Sequence, residues 1–192
     1  MFYRINDSIR LCGWDQLECA LRDLASHRVY FMRPEQYQLL SLCTGKLDSG
    51  CLLFNDEQRA LLEQMQKAGI MMASDEPLPP IREEQKYHRY HNRFIRSAQW
   101  SITGRCNYRC RHCYMSAPEG KYGQLTREEC EHIVRELADC GVMSVALTGG
   151  EALVHPDFWY IVDLLLAENM EISTVYSNGA LINEDFFAGC ES

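Results

Sequence analysis

Apolar and polar residues recur along this chain in two different rhythms. Up to about residue 73 the pieces are short. "FYRI" and "IRLC" read as short strands, and "RVYFMR" reads as a better one, rich in β-branched and aromatic residues. Pro34 suits the first turn of a helix through "EQYQLLSLC" that stops near Gly45. "LDSGCLLF" suggests a short second helix. "NDEQRALLEQMQKAG" predicts a third, capped by Asn55 or Asp56, with Leu61, Leu62, Met65 and Ala68 on one stripe and Gly69 as its stop. "IMM" then continues as an extended piece. Small strands with three helices predict a winged-helix-like α+β domain over residues 1–73.

From Ser97 the rhythm lengthens and repeats. "SAQWSIT" is an apolar strand ending at Gly104. Thr126 and Glu129 form a capping box, after which Cys130, Ile133, Val134, Leu137 and Ala138 recur at helical spacing until Gly141. "MSVALT" is a buried strand ending at Gly149 and Gly150. Pro156 opens a helix with Phe158, Ile161, Val162, Leu165 and Leu166 on one face. "EISTVYS" is a third strand, and Asn183, followed by Glu184 and Asp185, opens a last helix. The order β-α-β-α-β-α predicts an α/β fold with a parallel sheet of about three βα units over residues 97–192. Polar and glycine-rich motifs follow all three strands, where parallel α/β folds place their active sites. Between the two regions, residues 74–96 read as a linker. It opens with "SDEPLPP" and turns charged and aromatic in "IREEQKYHRYHNRF", a part with the option of packing as a short strand or helix between the regions.

Charge narrows the partners. The net charge of −8 argues against nucleic acid, and so does the acidic third helix, where Asp56, Glu57 and Glu63 face Arg59 and Lys67. The N-terminus lacks the apolar run of a signal peptide. The most apolar stretch, "FWYIVDLLLA", is too short to span a bilayer and contains Asp163, so no membrane association and a cytoplasmic location are expected. In a reducing compartment, clustered cysteines point to metal more often than to disulfides. Of ten cysteines, Cys12, Cys19, Cys43, Cys51, Cys130, Cys140 and Cys190 are scattered and read mostly as small core residues.

The other three, Cys106, Cys110 and Cys113, fall within eight residues after the first long strand. Three readings stand. Positions i, i+4 and i+7 share a helix face, but Gly104, Asn107, Tyr108 and Arg109 are poor company for a helix. Zinc needs four tetrahedral ligands, and only His112, directly beside Cys113, is at hand as the fourth. A [4Fe–4S] cubane held by three thiolates leaves one iron open to a substrate or cofactor.

The spacing Cys106-x-x-x-Cys110-x-x-Cys113 resembles the signature of the radical S-adenosylmethionine (radical SAM) superfamily. That resemblance implies a partial (β/α) barrel. It also implies a [4Fe–4S] cluster whose open iron binds the amino and carboxylate groups of S-adenosylmethionine. Reductive cleavage would then yield a 5′-deoxyadenosyl radical that abstracts hydrogen from substrate, with the electron from an external donor. "TGGEAL" resembles the family's Gly-Gly-Glu-Pro motif, with Ala152 where proline is usual. It implies that Gly149 and Gly150 let backbone approach the cofactor and that Glu151 pairs with its ammonium group. By the same resemblance His112 lies by the adenine, and Ser177 and Asn178 of "YSNG" hydrogen-bond cofactor or substrate. Tyr114 is familiar in position, and Arg105, Arg109 and Arg111 are candidates to offset cluster charge.

The resemblance covers about residues 97–192, three units of an expected six, so the chain looks like the N-terminal part of a longer enzyme. Apolar surface is expected to lie exposed on its last strand and helix. A small winged-helix-like module before such a core resembles the peptide-recognition domain of enzymes that modify ribosomally made peptides. In that family a leader peptide adds as a strand to the module. Val29, Tyr30 and Phe31 are the candidate contacts, with the helix face from Asp56 to Ala68. The expected function is radical SAM modification of a peptide or protein. The alternatives are a leader-peptide-binding module without turnover, or a radical SAM enzyme that builds cofactors or activates other enzymes.

Overall fold

The computed structural model describes residues 1–48, 54–117 and 122–191, and the chain divides into two compact units, Met1–Phe94 and Ile95–Ser192.

Two small sheets and two α-helices make up the described part of the first unit. One sheet has the order β5-β1-β6, with β1 Phe2–Ile5 antiparallel to β5 Thr44–Asp48 and β6 Met71–Ser74. The other has the order β4-β3-β2-β7, from β2 Ile9–Trp14, β3 Leu17–Asp23, β4 Arg28–Phe31 and β7 His88–Arg89. The helices are α1 Pro34–Leu42 and α2 Asp56–Lys67. The cap of α2 is Asn55, whose Oδ1 accepts from the Gln58 amide at 2.8 Å while Gln58 Oε1 accepts from the Asn55 amide at 3.0 Å. Gly69, at φ +72°, ends the helix in a conformation that costs glycine little.

The four-stranded sheet is covered on both faces. Cross-strand partners share a face, so Leu21 and Tyr30 point one way while Ala20, Arg22, Val29 and Phe31 point the other. Leu11 and Leu21 join Leu40, Leu62 and Met65 in the main core. On the opposite face, Cys12, Trp14 and Ala20 pack with Val29, Tyr90 and Phe94.

Three expectations change here. The strand β3 has no counterpart among the predicted elements, because "LECALRD" mixes Glu18, Arg22 and Asp23 with apolar residues and lacks β-branched or aromatic ones. The predicted helix over "LDSGCLLF" begins instead as the end of β5, and its residues 49–53, including Cys51, lie outside the described residues. The stretch read as a linker belongs to the first unit through Phe94. The reason is Trp14, fully buried, which stacks on Tyr90 at 5.1 Å and meets Phe94 edge-on at 4.7 Å. Gln85, also fully buried, donates to the Asn6 carbonyl at 2.8 Å. Burying these groups supplies the driving force that a free linker lacks.

The second unit is an α/β arrangement of three βα steps, with α3 and α4 packed on one face of its sheet. Its parallel sheet has the order β10-β9-β8, from β8 Ser97–Thr103, β9 Ser144–Gly149 and β10 Glu171–Val175. The helices are α3 Arg127–Asp139, α4 Phe158–Ala167 and α5 Glu184–Glu191. Thr126 caps α3 by accepting from the Glu129 amide at 3.3 Å, and Glu129 returns the bond at 2.8 Å. Trp100 and Ile102 of β8, Val145 and Leu147 of β9, and Val134, Ile161 and Leu165 of the helices form one core. Arg127 bonds Asp157 and lies 4.2 Å over the Tyr160 ring, while Tyr160 donates to Glu131 at 2.6 Å, joining α3 to α4. Beyond β10, Tyr176, Leu181, Ile182 and Phe187 leave large apolar surface exposed. No helix among the described residues is long and apolar enough to cross a membrane.

Candidate functional site

All three strands of the second unit end, at the same side of the sheet, in the loops that carry the motifs. After β8, Thr103 Oγ1 accepts from the Arg105 amide at 3.0 Å and turns the chain into the cysteine loop. After β9, the Gly150 amide donates to the Thr103 carbonyl and the Glu151 amide to the Arg105 carbonyl, each at 2.9 Å. The second loop is thus laced to the first by backbone.

That lacing explains the glycines. A Cβ on Gly149 would stand 2.3 Å from the Thr103 carbonyl oxygen, and Gly149 sits at φ +151°. A Cβ on Gly150 would stand 2.3 Å from the Arg105 oxygen. Both contacts are with rigid backbone, so the close approach that requires glycine is that of the neighbouring loop.

Glu151 is fully buried. Its Oε1 accepts from the Leu153 amide at 3.1 Å and its Oε2 from the Asn178 amide at 2.6 Å. A buried carboxylate needs such donors, and its remaining lone pairs can still accept. Asn178 in turn donates through Nδ2 to Asn107 Oδ1 at 2.7 Å, with Cys106 Sγ at 3.9 Å. One carboxylate and one amide side chain therefore connect the loops after β8, β9 and β10. Asn107 was missed by the sequence reading; as a mid-loop asparagine its only signal was its place between two cysteines. Ser177 Oγ accepts from the Gly179 amide at 3.0 Å, and Asn178 Oδ1 from the Ala180 amide at 3.0 Å, which closes the turn.

Cys106, Cys110 and Cys113 are free and stand on an irregular loop, Cys110 exposed and the other two half-buried. The Tyr108 amide donates to Cys106 Sγ at 3.3 Å. The Cys113 amide donates to the Cys110 carbonyl at 3.2 Å. Among the described residues, no three His, Cys, Asp or Glu side chains converge on a point for one metal ion. Cubane thiolates bind separate irons and share no such point. The donor set of three thiols on an irregular loop fits a cluster better than a zinc ion, which needs four ligands around one centre. His112 and Tyr114 are exposed beside the third cysteine, as are Arg105, Arg109 and Arg111.

The first unit holds a second candidate site. β4 is an edge strand, paired only to β3 among the described residues. A groove of about 270 Å³ runs beside it, lined by Leu21, Tyr30, Phe31 and Met32 on one side and by Leu61, Gln64 and Met65 of α2 with its C-cap Ala68 on the other. Of the three strand residues singled out in the sequence, Tyr30 shares the face of Leu21 and lines this groove. Val29 does not, because strand alternation turns it to the Trp14 side. Phe31 also has its ring on that side, against Phe94 at 5.3 Å.

The profile of the radical SAM superfamily matches residues 100–189. Mycofactocin maturase MftC of Mycobacterium ulcerans is 36% identical over 89 residues, which are 46% of this chain and 24% of that protein. A probable GTP 3′,8-cyclase of Methanothermobacter thermautotrophicus is 33% identical over 92 residues, 48% of this chain and 30% of the cyclase. The fold is similar to that of Streptococcus suis SuiB, solved in complex with the precursor peptide SuiA. The TM-score is 0.57 at 14% identity, covering 98% of this chain and 45% of SuiB. The matched segments span less than a third of these two curated relatives.

Proposed function

Because the chain belongs to the radical SAM superfamily through residues 100–189, we propose that it forms part of a radical SAM enzyme that modifies a ribosomally made peptide. The observation that carries this reading is the cysteine loop: three free, accessible thiols at the end of β8, laced to the Gly149–Glu151 turn. In this reading the second unit is half of a partial barrel and the first a winged-helix-like peptide module.

Cys106, Cys110 and Cys113 would hold a [4Fe–4S] cluster. When bound, that cluster would supply one-electron reducing power, drawn from an external donor, for the reductive cleavage of S-adenosylmethionine. By the family resemblance Glu151 would pair with the cofactor's ammonium group; in the structure its side chain is fully buried and held by two backbone amides. Gly149 and Gly150 keep that carboxylate against the cysteine loop. Asn178 positions Asn107 beside Cys106, and Ser177 and His112 complete the cofactor's surroundings. The leader peptide adds to the free edge of β4, beside the groove under α2. The similarity to a mycofactocin maturase and the fold likeness to SuiB, which was solved with a precursor peptide, support a peptide substrate.

The test is electron paramagnetic resonance of the anaerobically reconstituted, reduced protein with and without S-adenosylmethionine. The expected result is a cluster signal that shifts with the cofactor and vanishes in Cys110→Ala. Bound zinc and no cluster would sink the reading. A cofactor-building enzyme is the second reading, favoured by the 33% identity to a cyclase. Binding of a precursor peptide by the first unit separates the two.

A further inference from the structure

The edge of β4 is short and flanked by Arg28 and by Arg33-Pro34, but the run between them is apolar. Exposed edge strands are ordinarily blunted by lysine, proline, a bulge or a cover. Between Arg28 and Arg33, β4 and its continuation read Val-Tyr-Phe-Met, with Tyr30 38% and Phe31 51% exposed. The two exposed aromatics lie on opposite faces of the strand. Tyr30 faces the α2 groove. Phe31 borders the groove, but its ring lies on the opposite face of the strand and meets Phe94 edge-on at 5.3 Å, and Phe94 rests on buried Trp14 at 4.7 Å. Phe31 and Phe94 thus form a fixed aromatic ledge on the side of the edge opposite the groove.

We propose that a peptide segment added to β4 is read on both of its faces, by the α2 groove and by the Phe31–Phe94 ledge. This rests on the strand-addition reading above. Successive side chains of an added strand point to opposite faces. One set enters the groove between Tyr30, Leu61 and Met65, and the intervening set packs on the ledge. The partner is then an extended peptide with at least three consecutive apolar residues, not an alternating apolar–polar one. Arg28 and Arg33 are exposed and in no ion pair among the described residues, five positions apart and about 17 Å along an extended chain. They favour a carboxylate flanking the apolar run.

The experiment selects binders to the full 192-residue chain from a displayed library of random dodecapeptides. Fluorescence anisotropy then follows an alanine scan and an N-methyl-amide scan of the best binder, and its binding to Phe31→Ser. The expected result has three parts. N-methylation weakens binding at every second residue, as strand pairing requires. Alanine weakens it at residues of both parities by about tenfold each. Phe31→Ser removes the sensitivity of one parity only. A period-two N-methyl pattern with alanine sensitivity confined to one parity would overturn two-faced reading while leaving strand addition standing. Binding without the period-two pattern, or no selectable binder, would overturn strand addition and the inference with it. Circular dichroism of Phe31→Ser separates lost recognition from lost folding.

Discussion

The core of the first unit and the cysteine loop of the second treat sulfur in opposite ways. Cys12 and Cys43 are buried, and burial pushes both thiols up to about 12, with Arg22 offsetting only part of the effect at Cys12. They serve as small apolar fillers. Cys106, Cys110 and Cys113 stand on an irregular loop, where an amide of the same loop points at one sulfur. The lesson is that the thiol's surroundings, rather than its number in the sequence, decide whether it packs in a core or stays accessible.

The sharpest way to break that contrast is to exchange the two roles. Cys110→Ala is expected to abolish iron uptake, while Cys43→Ala leaves it unchanged. Iron and sulfide analysis after anaerobic reconstitution reads both. Next in size are the glycines. Gly150→Ala drives a Cβ into the Arg105 carbonyl and should cost about 2–4 kcal/mol in urea unfolding. Gly69→Ala in the first unit meets open space and only the strain of φ +72°, so about 1 kcal/mol is expected.

The buried thiols give a pH signature. Their pKa values are raised on folding from 9.0 to about 12, so they ionise first in the unfolded chain. Their contribution is complete below pH 9 and is lost as pH rises toward 12, by at most about 1.4 kcal/mol per pH unit for each thiol. Urea midpoints across that range should flatten in a Cys12→Ala, Cys43→Ala double variant. The smallest effects are the caps. Asn55→Ala and Thr126→Ala each remove one amide acceptor and should cost about 1 kcal/mol, seen as a lower thermal midpoint.

The second unit was legible because its signals are local. Thr126 and Glu129 announce a helix start, and Val145 and Leu147 a buried strand, without knowledge of anything distant. The first unit depends on pairings that sequence spacing hides. β3 is a strand because Leu21 meets the main core while Ala20 and Arg22 meet the other face, although "LECALRD" shows no clean alternation. Tyr90 and Phe94 lie in a charged, turn-rich stretch and became core only because Trp14, some eighty residues earlier, needed covering. At the site itself, the cysteine spacing and the Gly-Gly-Glu run were visible. The reason for the glycines was not, since it is a backbone contact with Thr103 and Arg105.

The bond from the Asn178 amide to Glu151 Oε2 makes the third loop a listener to the second. Any cation that draws on that oxygen competes with, or tightens, a hydrogen bond whose donor belongs to a different strand. The exchange rate of a single backbone proton, at Asn178, is therefore a built-in gauge of what Glu151 is holding. It can be read by deuterium uptake without touching the sulfur or waiting for turnover.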